Sequence, residues 1–364
     1  MIDAFRYFLP VDIRFGCGAL EELPALLEGI GSDKMVLVCD RFFDSFGKDL
    51  QKKVPAIAAV FSDVEPNPQL SGVEEVVRLM KATGASAVAA IGGGSAIDTA
   101  KYAAACTYSD HTPTAHFEGQ PFPQKVAKII AVPTTAGTGS EVTSVSVISR
   151  GDEKKTTHSP LFCPTACIVD PELTFTVPPK TTLMTGLDAF THAIEAYWSI
   201  HHSPITDLLA IEALKAIVPH LEKSYRDGDK DARVAMSYGS LLAGLAFSNA
   251  KTAACHACSY PLSSYHHLPH GEACAFTLDS FIRLNADDRL QTLAKTLGFA
   301  DCDALADEIA RLKETGGLRT RFAQLEGTVD LDRIVSESNV HMLMKNNPVQ
   351  FTDAQLKAMF EQLL

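Results

Sequence analysis

Residues Ala87 to Lys101 read AVAAIGGGSAIDTAK. A short apolar run, AVAAI, is followed by three glycines and then by a segment from Ile97 to Ala105 that reads as helix. An apolar strand that turns on glycines straight into a helix is the unit of a parallel sheet with helices on its faces. The neighbouring sequence repeats the pattern. Strand-like runs occur at Lys34–Cys39 (KMVLVC), Ala56–Phe61 and Lys128–Val132 (KIIAV). Between the second and third of the four, Gly72–Thr83 carries Val73, Val76, Val77 and Met80 at helical spacing. From about Thr181 the texture changes to long helical patterns, at Leu183–Trp198, Ile205–Tyr225, Asp231–Asn249, Gly271–Leu284, Asp303–Glu314 and Thr352–Leu364. The expectation is an α/β N-terminal domain with a Rossmann-like parallel sheet over 1–180, followed by an all-α helical domain over 181–364. The boundary falls near the proline-rich segment Asp170–Lys180 (DPELTFTVPPK).

The bulk properties suit a globular chain. It has 364 residues, enough for two domains with sizeable cores, with 46% hydrophobic and 21% charged residues. A net charge of -12 argues against nucleic-acid binding. No apolar run approaches the ~20 residues needed to span a bilayer. The N-terminus lacks the basic and apolar regions of a signal peptide, and nine cysteines without disulfide-like rhythm suit a reducing compartment, so a cytoplasmic location is expected. Cys255 and Cys258 form a C-x-x-C without the context of a redox or zinc motif, and read as small packing residues beside His256.

In parallel sheets ligands bind beyond the carboxyl ends of the strands. Two polar, glycine-rich turns lie there: Gly92-Gly93-Gly94-Ser95, and Pro133–Glu141 (PTTAGTGSE). Glycines let phosphate oxygens approach a backbone whose helix N-terminus offers free N–H groups, and Ser95 is placed to cap that helix. Asp40 ends the first strand run, where a carboxylate would hydrogen-bond ribose hydroxyls and repel a 2′-phosphate. That favours NAD(H) over NADP(H).

A second constellation points to a metal. Asp188 and His192 lie at i and i+4 in GLDAFTHAIEAYW, so a helix puts them on one face. His256 and His270 follow, fourteen residues apart, in CHACSYPLSSYHHLPHG. One carboxylate and three imidazoles make a four-donor set for Fe²⁺, and ligand softness also permits Zn²⁺. A metal with mixed O/N ligands polarises a carbonyl or holds an alkoxide, so the pattern predicts an enzyme acting on small alcohols or aldehydes. Phe247, in AGLAFSN, reads as helix packing. His111, His116, His201 and His202 read as solvent-facing.

These motifs together resemble the iron-containing (group III) alcohol dehydrogenases. The resemblance covers nearly the whole chain: FGCG near the start, PNP at Pro66–Pro68, GGGSAID with Lys101, PTTAGTGSEVT, IVDPEL, GLDAFTHAIEAY, AGLAFSNA, the His256 to PHG segment, and NNP at Asn346–Pro348. It implies a dehydroquinate-synthase-like fold with an active site between its domains. It also implies metal ligation by Asp188, His192, His256 and His270, with Fe²⁺ as the metal. On the cofactor side it implies pyrophosphate contacts at Gly92, Gly93, Gly94 and Ser95, with Asp98 close behind. Thr134, Thr135 and Thr138 would then meet adenine, phosphate and nicotinamide ribose, Lys154 the ribose region, and Asp40 the position that tunes NAD against NADP. A homo-oligomer, a dimer by family analogy, is expected.

One position departs from the pattern. Many members carry a second histidine four residues after the third ligand, where this chain has Tyr260 in HACSYP. Tyr260, His266 and His267 are therefore the candidates for proton relay. The SYPL segment is similar to members that reduce small anionic aldehydes such as phosphonoacetaldehyde or sulfoacetaldehyde. Two rival readings are a lyase or cyclase of the dehydroquinate-synthase type, which lacks this Asp/His set, and a non-catalytic NAD- or metal-binding protein, in which ligand positions should have eroded.

Overall fold

The computed structural model describes residues 4–151 and 153–364. They form two compact units, one of Leu9–Thr176 and one of Val177–Leu364 together with the segment ending at Phe8. In the first unit the strands are β1 (Asp12–Phe15), β2 (Met35–Asp40), β3 (Ile57–Val64), β4 (Ala87–Gly92), β5 (Lys128–Pro133), β6 (Val145–Arg150), β7 (Glu153–His158) and β8 (Ala166–Val169). Six of them make one sheet in the order β1-β8-β5-β4-β2-β3, and every pair in it is parallel. β6 and β7 form a separate antiparallel hairpin.

The helices of this unit are α1 (Leu23–Gly29), α2 (Asp44–Lys53), α3 (Leu70–Thr83), α4 (Gly94–Cys106) and α5 (Pro113–Phe117). β4 is buried along its whole length and β2 over all but Asp40, as strands covered on both faces must be. α3 buries Val73, Val76, Val77 and Met80, the stripe read from the sequence. The chain order reverses at β2, which has β3 on one side and β4 on the other. The crevice at such a reversal is where parallel sheets bind ligands. Asp40 and Gly92, the last residues of β2 and β4, flank it.

The second unit contains α6 (Pro179–Trp198), α7 (Pro204–Ile217), α8 (Leu221–Arg226), α9 (Lys230–Ala250), α10 (Ala254–His266), α11 (His270–Phe276), α12 (Leu278–Leu284), α13 (Asp288–Thr296), α14 (Cys302–Thr315), α15 (Leu331–Val340) and α16 (Asp353–Glu361). α6 is buried almost throughout and packs against α7, α9 and α11. Two long helices expected from the sequence are each broken. Ile205–Tyr225 is split near Pro219, which lacks a backbone donor, and Gly271–Leu284 is split at Thr277. α10 was not anticipated at all, because Pro261 in its interior reads as a breaker. The short strands β1, at the sheet edge, and β8, beside it, and the β6–β7 hairpin also escaped the sequence reading. No helix among the described residues is long and apolar enough to cross a membrane, and no disulfide links the described cysteines.

Candidate functional site

The α/β unit gathers its predicted cofactor residues around the reversal point. The backbone N–H groups of Phe43, Gly93 and Phe42 lie near the Asp40 carboxylate and favour its charged form. Burial nevertheless outweighs these contacts and raises the Asp40 pKa, and its Oδ1 is buried without a partner. A ribose hydroxyl would satisfy that oxygen. Gly92 is required here: a Cβ would lie 2.6 Å from the Ala96 Cβ and 3.1 Å from Asp40 Oδ2. The second turn lies against the first, with the Thr134 N–H on the Gly92 carbonyl at 3.0 Å. Thr135 abuts Gly93, and Thr138 abuts Gly94.

α4 begins at Gly94 with Gly93 at the cap position and no capping side chain. Ser95 therefore lies inside the first turn and is not the cap. The extended backbone of Gly93 starts the helix earlier than the Ser95 reading requires. Asp98 spends its carboxylate inside the protein, accepting from Ser140 Oγ at 2.7 Å and from the Val147 N–H at 2.9 Å. Lys101 is fully buried and donates to Ser140 Oγ, Thr143 Oγ1 and the Val145 carbonyl. This network locks the threonine turn onto α4. Burial holds Lys101 down to about 8 and pushes the nearby Glu141 up to about 7. Lys154, exposed on β7, reaches Asn67 Oδ1 at 3.4 Å.

In the helical unit, α6 supplies Asp188 and His192 one turn apart, both buried. α10 brings His256 in its first turn, and α11 opens with His270. His256 Nε2 lies 3.0 Å from His192 Nε2 and 3.8 Å from Asp188 Oδ1. His270 Nε2 lies 3.9 Å from the same oxygen, and its side chain is 44% exposed, so solvent reaches the cluster from that side. The helices come this close because of Gly271. A Cβ there would sit 2.3 Å from the Met184 carbonyl oxygen and 3.2 Å from the Asp188 Cβ.

Two further residues of this cluster escaped the sequence reading. Glu195, fully buried on α6, accepts the N–H groups of Ala253 (2.9 Å) and Cys255 (2.6 Å) at the start of α10. A carboxylate is favoured at a helix N-terminus, where N–H groups lack intrahelical partners. Its Oε2 also accepts the Nδ1 proton of His256 at 2.6 Å. That fixes the tautomer and leaves the Nε2 lone pair of His256 facing His192. The signal was present: an ionic residue in an otherwise apolar stretch, three residues after His192. The other is Cys274, one turn after His270, whose Sγ lies 3.7 Å from His270 Nε2. Among the described residues, the donors that lie mutually within 4.8 Å are Asp188, His256, His270 and Cys274. His192 is outside that mutual set and joins the cluster through His256.

A divalent metal fits these residues. Asp188 Oδ1 is buried with no hydrogen-bond partner, and burial pushes the Asp188 carboxyl up to about 7. A buried carboxylate oxygen facing lone pairs of imidazole is costly alone and is stabilised by a cation. Phe247 packs, as expected of it, but on the site itself: its ring stacks on His192 with centroids 4.1 Å apart.

The three proton-relay candidates are not brought together. His266 is buried and its Nδ1 donates to the Glu326 carbonyl at 2.7 Å. His267 caps the end of α10 in a left-handed conformation and is exposed. Tyr260 stacks instead on His341 (4.2 Å between centroids), a residue no sequence signal singled out. Burial, with a smaller contribution from His256, holds His341 below the usual histidine range. Of the four histidines read as solvent-facing, His116 is buried, with its ring nitrogens on the Gln120 carbonyl and Ser109 Oγ and its face on Phe122. The aromatic neighbour and two local partners satisfy it. Cys255 and Cys258 are buried packing residues.

Comparison with known proteins settles the ancestry. Residues 10–171 match the iron-containing alcohol dehydrogenase profile, and residues 182–364 match that of the Fe-containing alcohol dehydrogenase family, C-terminal. The chain belongs to the iron-containing alcohol dehydrogenase family. As a member of it, the chain is an NAD-linked oxidoreductase of alcohols or aldehydes. It is 34% identical to long-chain-alcohol dehydrogenase 1 of Geobacillus thermodenitrificans, over 98% of this chain and 96% of the relative. It is 33% identical to sulfoacetaldehyde reductase of Bilophila wadsworthia, over 75% of this chain and 73% of the relative. Among solved structures it is similar to sulfoacetaldehyde reductase from Bifidobacterium kashiwanohense in complex with NAD⁺. The TM-score is 0.94 and the identity 40%, over 99% of each chain.

Proposed function

We propose that this member of the iron-containing alcohol dehydrogenases reduces a small anionic aldehyde of the sulfoacetaldehyde or phosphonoacetaldehyde type with NADH. The observation that carries the substrate class is the 40% identity and full-length correspondence to the Bifidobacterium sulfoacetaldehyde reductase. The Ser259-Tyr260-Pro261-Leu262 segment beside His256 is consistent with it. The half-buried Asp40 carboxylate at the reversal point supports NADH over NADPH, since a 2′-phosphate there would meet a like charge.

Asp188, His192, His256 and His270 would hold Fe²⁺, or Zn²⁺ where that ion is more available. When bound, the cation supplies Lewis-acid polarisation of the carbonyl, and the dinucleotide supplies the hydride. The chain's residues do the rest. Glu195 orients His256, and Phe247 packs His192 in place. The exposed edge of His270 leaves one side open to substrate. Gly92–Ser95 receive the pyrophosphate, and Thr134, Thr135, Thr138 and Lys154 the rest of the dinucleotide. Asp98, which accepts from Ser140 Oγ and the Val147 N–H, positions the threonine turn beside the pyrophosphate glycines. Tyr260, backed by His341, is the proton donor to the nascent alkoxide. A homo-oligomer, a dimer in the simplest case, in the cytoplasm completes the reading.

The test is NADH and NADPH oxidation with neutral, sulfo- and phosphono-aldehydes after Fe²⁺ or Zn²⁺ reconstitution. The proposal expects the anionic aldehydes to be preferred, NADH to be preferred, and activity to vanish on chelation and in His270→Ala. Equal turnover of neutral short aldehydes would overturn the substrate class, and unchanged turnover in His270→Ala would overturn the metal site. Light scattering on the eluted peak decides the oligomer.

A further inference from the structure

We propose that the Cys274 thiol is itself a donor to the metal, so that this centre carries a sulfur ligand in addition to its oxygen and imidazoles. The inference rests on the metal-centre reading above and adds one named atom to it.

The geometry carries it. Cys274 follows His270 by four residues on α11, so both side chains leave the helix on one face. Its Sγ lies 3.7 Å and 3.9 Å from the two ring nitrogens of His270. The thiol also lies within 4.8 Å of donor atoms of Asp188 and His256. These four side chains offer donor atoms mutually within 4.8 Å. A tetrahedral shell with bonds of about 2.0–2.3 Å has donor–donor separations of about 3.5 Å. Three of the six separations are 3.7–3.9 Å, a few tenths wider, and the other three are within 4.8 Å, so the shell closes by side-chain adjustment. Asp188 Oδ1, buried and without a hydrogen-bond partner, marks where the cation lies, and Asp188 and Cys274 belong to the same donor set. His192, 3.0 Å from His256 Nε2, lies outside this mutual set and would have to shift toward the ion to join the shell. The other two cysteines nearby, Cys255 and Cys258, are not in the set.

Ligation breaks the S–H bond and forms an S–metal bond, with the proton leaving to solvent; nothing is oxidised or reduced. One carboxylate and one thiolate neutralise a divalent ion, whereas the carboxylate with imidazoles alone leaves the centre at net +1. A soft sulfur donor also shifts preference toward Zn²⁺ and Co²⁺ relative to Mn²⁺.

The experiment uses the full chain stripped of metal and loaded with Co²⁺. The expected result is one Co²⁺ per chain with a near-ultraviolet thiolate-to-cobalt charge-transfer band, which is lost in both Cys274→Ser and Cys274→Ala while Co²⁺ still binds. Zn²⁺ affinity should fall about tenfold or more in these variants and Mn²⁺ affinity less. Stoichiometric cobalt without the band, or a band unchanged in the variants, overturns the sulfur ligand and leaves the metal centre standing. Failure to bind cobalt, or binding unchanged in His270→Ala, sinks the metal-centre reading and this proposal with it. If both variants misfold, X-ray absorption on the unaltered Zn²⁺ protein decides: a sulfur scatterer at about 2.3 Å supports the proposal, and nitrogen and oxygen alone refute it.

Discussion

The Nδ1 proton of His256 is held by Glu195 Oε2 at 2.6 Å, and the same carboxylate receives the N–H groups of Ala253 and Cys255. One buried side chain thus anchors the start of α10 and sets the tautomer of a proposed metal donor. Carboxylates behind metal-binding histidines typically contribute 10- to 100-fold in metal affinity. Glu195→Gln should weaken Fe²⁺ or Zn²⁺ binding by about that factor, read by competition with a calibrated chelator. Unchanged affinity would show that the contact is structural only.

Gly271 should tolerate no side chain. An added Cβ would meet the backbone of Met184 at 2.3 Å, and backbone cannot rotate away. Gly271→Ala should push α11 off α6, carrying His270 away from Asp188. Overpacking of this kind costs about 1–3 kcal/mol. The expected outcome is a lower Tm together with weaker metal binding. A variant of native stability that binds metal normally would contradict the packing argument.

Removing the Asp40 charge should relax cofactor choice. In Asp40→Ala the NADPH/NADH ratio of kcat/KM should rise about tenfold or more, equivalent to ~1.4 kcal/mol. The gain for NADPH should come with a poorer KM for NADH, since a ribose hydroxyl loses its acceptor. If only the NADPH term is unmoved, the carboxylate does not face the 2′ position.

Glu141 predicts a slope in stability against pH. It ionises near 4.5 in an unfolded chain and near 7 in the fold, because burial disfavours its charge. Between those values the folded protein holds a proton that unfolding releases. The stability tied to that proton is full below about 4.5 and is lost as pH rises through about 7. Glu141→Gln should flatten this decline, by up to about 3 kcal/mol at neutral pH. Denaturant titrations from acid to neutral pH of the native and variant chains provide the comparison. Parallel curves would mean that Glu141 ionises normally.

The parts that were legible share a cause. AVAAIGGGSAID could be read because a strand buried on both faces must be apolar, and because a tight strand-to-helix turn needs glycine. Asp188 and His192 could be paired because helical periodicity places i and i+4 together. His116 was misjudged because its burial depends on Phe122, which periodicity does not pair with it. α10 was missed because the Pro261 signal is local, whereas the helix is secured from its start by Glu195 on α6.

The amino-acid order alone therefore determined the alternating α/β half, the helical half, the glycine turns and the four Asp/His metal candidates. These depend on spacing along one chain segment. The tertiary structure alone decided that Glu195 stands behind His256, that Cys274 joins the donor cluster, and that Tyr260 rests on His341. Those relations join residues from separate helices, or depend on which side of a helix faces the cluster. Packing sets them, through close approaches such as that of Gly271 to Met184, and no periodicity encodes them.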